Sequence, residues 1–99
     1  MRTLLKISIP VEAGNDSIKS GILPRTLEAT VSQLKPEAAY FFTENGKRTA
    51  FIFFDLKDPS DIPVIAEPLF MGFNAEIEFK PVMNQADLQA GLGRAMANV

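Results

Sequence analysis

An α+β fold, with four antiparallel strands covered on one face by helices, is what this 99-residue sequence predicts. Three observations lead there. Apolar residues alternate with a period of two in TLLKISI and AEIEFKPVM, two apolar stretches lie between them, and helical spacing recurs between the first and second and between the third and fourth of these four stretches. The two middle stretches are joined by Asn45-Gly46, the strongest short-range hairpin signal. No linker, repeat or low-complexity segment divides residues 1–99, so the chain reads as one domain near the common domain size. The order strand, helix, strand, strand, helix, strand is the ferredoxin-like βαββαβ sandwich, here followed by a C-terminal tail helix.

The first strand is TLLKISI, residues 3–9, with Leu5, Ile7 and Ile9 on one side, Leu4, Lys6 and Ser8 on the other, and Pro10 after it. In the next segment Asn15 or Asp16 is the expected N-cap, and Ile18, Ile22, Leu27, Val31 and Leu34 approximate a helical stripe. Pro24 interrupts that stripe and predicts a kink or two short helices; Lys35-Pro36 ends it. A two-residue turn then sets Glu44 opposite Lys47, Phe42 opposite Thr49, Tyr40 opposite Phe51 and Ala38 opposite Phe53. The other side of the hairpin carries Thr43/Arg48, Phe41/Ala50 and Ala39/Ile52. Ser60 is the expected cap of a helix through Ile62, Ile65, Ala66, Leu69 and Phe73, with Pro68 as a point of distortion. The last strand alternates Ala75, Ile77 and Phe79 against Glu76, Glu78 and Lys80. Asn84-Gln85-Ala86-Asp87 opens the tail helix, which carries Leu88, Leu92 and Met96 and is weakened by Gly91 and Gly93.

Composition excludes several kinds of chemistry. With no Cys and no His, there is no thiolate nucleophile, Cys- or His-ligated metal, or His-ligated haem, and neither a metal nor a cofactor is expected. A net charge of -2, with no Lys/Arg cluster longer than Lys47-Arg48, leaves no basic footprint for nucleic acid. No apolar run approaches the length of a membrane span, and MRTLLKISIP is too short and polar for a signal peptide. A cytoplasmic location is the expectation.

Helices cover one sheet face, yet both sides of the hairpin become apolar three residues from the turn. The uncovered half-face carries either Tyr40/Phe42/Phe51/Phe53 or Phe41/Ala50/Ile52/Phe54, and either set exceeds what a monomer usually exposes. A second copy of the same sheet face is the simplest cover, giving an isologous homodimer with the charged half as its rim. Order, size and two-faced hairpin are together similar to the dimeric α+β barrel superfamily. IPVEAGN, LKPEAAYF, GKRTAFIFFDL and AEPLFMGFNAEIEFKPVM resemble a family of small bacterial proteins without assigned chemistry in that superfamily. The resemblance spans nearly the whole chain. It implies the dimer and a ligand pocket between sheet and helices, while its members range from simple binders to cofactor-independent isomerases and monooxygenases.

Candidate site residues are therefore polar groups set in apolar surroundings. Tyr40, the only tyrosine, could donate a proton or orient a ligand, although such rings more often serve a core or interface. Glu67 interrupts VIAEPLF, where a half-buried carboxylate suits acid–base work; a solvent-facing position explains it equally. Asn74 could hold a carbonyl, but a helix-ending Asn also suits the left-handed conformation. Lys6 and Ser8, with Glu76 and Glu78, form a polar group on neighbouring strands that reads first as a solvated rim. Gly91-x-Gly93 lacks the third glycine and preceding strand of a nucleotide loop. The function expected is binding of a small apolar or aromatic molecule. A cofactor-independent isomerase or monooxygenase using Tyr40 or Glu67 is the alternative, and a structural or adaptor dimer the second.

Overall fold

A computed structural model describes residues 1–99. Its elements are β1 (Arg2–Ile9), α1 (Val11–Ser20), α2 (Ile22–Leu34), β2 (Ala38–Glu44), β3 (Lys47–Asp55), α3 (Asp61–Phe73), β4 (Glu76–Pro81) and α4 (Gln85–Ala97). The strands form one antiparallel sheet in the order β2-β3-β1-β4, consistent with the ferredoxin-like plan. The hairpin register is the expected one from Glu44–Lys47 through Ala38–Phe53. Asn45 and Gly46 both take positive φ (53° and 74°), as a type I′ turn requires.

Register decides which side chains meet the helices. Leu5 pairs with Ile52 and Phe79, and Ile7 with Ala50 and Ile77. These residues share one face, where Leu5, Ile7, Ile52, Phe54 and Ala50 are buried with Leu23, Leu69 and Phe73 of the helices. The opposite face carries Leu4, Lys6 and Ser8 beside Phe53, Phe51 and Thr49, and beyond them Tyr40 and Phe42. Of the two aromatic sets, the uncovered one is thus Tyr40/Phe42/Phe51/Phe53.

The first crossover contains two helices, one of the two outcomes predicted from Pro24, but the break falls at Gly21. That residue, at φ 80°, ends α1 by donating to the Ile18 carbonyl at 3.0 Å and begins α2. Pro24 sits in the first turn of α2, where its missing N–H has no helical partner to lose. The expected cap at Asn15 or Asp16 is wrong. Helix α1 starts at Val11, its first turn closed by the Gly14 N–H on the Pro10 carbonyl at 2.9 Å, and both residues lie inside it. Pro10, with φ fixed near the helical value, can lead straight into a helix.

Ser60 occupies the residue before α3, but makes no cap through its side chain. Asp58 Oδ1 instead accepts from the Ser60 N–H (2.9 Å) and hydroxyl (2.6 Å), an Asx-type turn that holds the Asp58 carboxyl below the usual range. Helix α3 continues through Pro68 to Phe73. It ends in a left-handed (αL) cap, with Asn74 at φ 52° donating to the Phe70 carbonyl, while the next residue, Ala75, donates to the Leu69 carbonyl.

The tail forms the predicted helix. Asn84 and Asp87 make a reciprocal capping box at 2.8 and 3.1 Å. No residue of α4 is buried, and Leu88, Leu92 and Met96 form an exposed stripe at i, i+4 and i+8. No helix of the chain is long and apolar enough to cross a membrane.

Candidate functional site

Two apolar surfaces flank the β2–β3 hairpin, one on each side of the sheet. On the open side, the Phe42 and Phe51 rings meet edge to face with centroids 4.8 Å apart, and Lys6 Nζ lies 6.0 Å from the Phe51 centroid. Tyr40 is 63% exposed beside them. Around this patch runs a ladder of ion pairs, Lys6 with Glu44 and Glu78, Lys47 with Glu76, and Lys80 with Glu78. The hydrogen bond to Glu44 raises the Lys6 pKa, and the bond from Lys47 lowers that of Glu76.

On the helix side, edge strand β2 extends beyond the cover of the helices. Between it and α1–α2 lies a cavity of about 460 Å³. Ile7, Ile9, Ile18, Leu23, Leu27 and Phe41 supply most of its wall, and Arg48 and Thr49 are its only polar residues. Phe41 shares the parity of Ala50 and Ile52, yet is 57% exposed because no helix reaches β2 there. The volume falls within the range of small-molecule sites. A groove of similar size between α2 and α3 is lined by Arg25, Thr26, Thr30 and Gln33 with the apolar residues below them, and is more polar.

Arg48 is the charged residue of this cavity, and its position is built by α1. Its Nη2 donates to Asn15 Oδ1 at 3.0 Å and its Nη1 to the Val11 carbonyl at 3.5 Å. Residue 14 completes the seat: a Cβ there would lie 2.5 Å from Nη1, so any larger residue would displace the guanidinium from this position. Val11, Gly14 and Asn15 follow helical i, i+3, i+4 spacing, so one face of α1 receives the arginine.

The candidates named from sequence do not gather in this cavity. Tyr40 stands on the open face, where it also borders a shallow depression with Arg2, Glu37 and Phe53. Glu67 is exposed on α3. Asn74 is exposed and ends that helix. Lys6 and Ser8 lie on the open face; the Ser8 hydroxyl is buried and shares a hydrogen bond with that of Thr49 at 3.0 Å. Glu76 and Glu78 face lysines rather than a common cation, and no three acidic residues converge. Sequence reasoning missed Arg48 and Phe41 as site residues. The signal was parity: Arg48 alternates with Ala50 and Ile52, which puts a charge on the apolar side of the hairpin. Searches for relatives find no protein-family model and no curated protein that matches this chain.

Proposed function

We propose that this protein binds a small apolar or aromatic molecule in the cavity between the hairpin and α1–α2, and that it works as a homodimer. The cavity carries the reading: an apolar hollow of about 460 Å³ with only Arg48 and Thr49 as polar lining. No carboxylate or phenol lines it, so binding is favoured over proton-transfer chemistry.

The second copy is supported by the open face. Tyr40, Phe42, Phe51 and Phe53 form an apolar patch beside the lysine–glutamate ladder, a suitable arrangement for an interface core and its rim. Four strands about 4.8 Å apart and about seven residues long present a footprint on the order of 450 Å². A stable interface uses about 800 Å² per partner.

Binding is tested with phenylnaphthylamine, a neutral aromatic dye, alongside native mass spectrometry of freshly purified protein. Dye fluorescence should rise on binding to the native protein and fail to rise with Leu27→Trp, which fills the cavity. Absence of binding, or binding that survives Leu27→Trp but not Phe53→Glu, would place no ligand in the cavity and overturn the reading. For the dimer, light scattering should report two copies, and one copy for Phe53→Glu; a native monomer at micromolar concentration refutes it.

A further inference from the structure

Arg48 stands apart from the other strand cations. Arg2, Lys6, Lys47 and Lys80 each have a carboxylate within ion-pair distance, whereas Arg48 has none. Two of its N–H groups are used, one by the Asn15 side chain and one, at long range, by a backbone carbonyl. A guanidinium carries five donors in a planar fork and cannot shed its charge, so three N–H groups and the whole charge remain unmatched by the protein. The setting sharpens the mismatch. Its seat is the first turn of α1, where the helix dipole favours negative charge rather than a second positive one. Beside it, the cavity wall offers only aliphatic and aromatic surface apart from Thr49.

A cation held against a helix start, with spare donors at an apolar hollow, suits an anionic head group on an apolar body. We propose that the ligand is an amphipathic carboxylic acid, its apolar body in the cavity and its carboxylate paired with the Arg48 guanidinium. The inference rests on the cavity reading given above and adds the head group. Gly14 and Asn15 act as positioning residues, holding the fork in place before the ligand arrives. Preorganisation of that kind lowers the entropic cost of binding, and the carboxylate would gain a charge-assisted, bidentate contact that a neutral ligand cannot make.

The test compares decanoate, decanol and methyl decanoate as competitors for bound phenylnaphthylamine. In the native protein decanoate should displace the dye at roughly tenfold lower concentration than either neutral analogue, the order expected of hydrogen bonds to a charged group. Arg48→Gln, checked for folding by circular dichroism, should bring the three competitors to within about twofold of one another, whatever its own affinity for the dye. Arg48→Lys, which keeps the charge but loses the fork, should retain only part of the preference. Equal displacement by acid and neutral analogues in the native protein overturns the head-group assignment while the cavity stands, and needs no variant to read. A preference that persists in folded Arg48→Gln does the same. If the dye does not bind the native protein at all, the cavity reading itself falls, and this inference with it.

Discussion

Lys35 ends α2 at φ 46°, in the left-handed region where a side chain with a Cβ is strained. Its N–H closes the helix on the Val31 carbonyl at 3.0 Å, a role in which glycine is the usual choice. Lys35→Gly should therefore raise stability by about 0.5–1 kcal/mol, read as an increase in melting temperature. No change, or a decrease, would mean the conformation costs little there. At Glu76 the relevant variable is pH. The bond from Lys47 holds its carboxyl below the usual range, so the ionised form is the stabilising one. Its contribution is present above the unfolded value of about 4.3 and is lost as pH falls through the lower folded value. The difference in melting temperature between native protein and Glu76→Gln should be largest near neutrality, shrink below about pH 4, and shrink with added salt because the pair is exposed. A gap unchanged by pH would show that this pair contributes nothing. Arg48 marks the limit of reading single residues. Its parity was legible in the alternation with Ala50 and Ile52, but its want of a carboxylate follows from where α1 lies, which no local pattern records.

The elements were legible in proportion to how local their causes are. The Asn45-Gly46 turn depends on two residues at positive φ, and its entire register followed from the loop length. The Asn84–Asp87 capping box is a four-residue device and was visible as such. The start of α1 was hidden because no side chain caps it, and because Asn15, which looks like a cap, serves Arg48 through tertiary contact. The open face of the hairpin followed only once the strands were paired with β1, since its two faces are equally apolar. Helix α4 invites a direct measurement. Thirteen residues are marginal for an isolated helix in water, and this one buries nothing. In protein dilute enough to be monomeric, α4 amides should exchange with solvent far faster than those of β1 and β3. Equal protection would show that α4 is covered even in the single chain.

At the scale of the whole molecule, the radius of gyration of 16.1 Å exceeds the roughly 13 Å of a close-packed chain this long, and the longest dimension is 56 Å. Helix α4, with no buried residue, is consistent with that extended shape. The sheet order has a different consequence, one that concerns time. Strand β1 is made first but lies in the centre, between β3 and β4, with Thr3 beside both Phe54 and Pro81. On a growing chain, β1 has no partner until the hairpin emerges, and its other edge stays open until β4 follows. Leu5, Ile7 and Ile9 must wait unburied through most of synthesis, so the nascent protein is most prone to wrong association before its last strand exists.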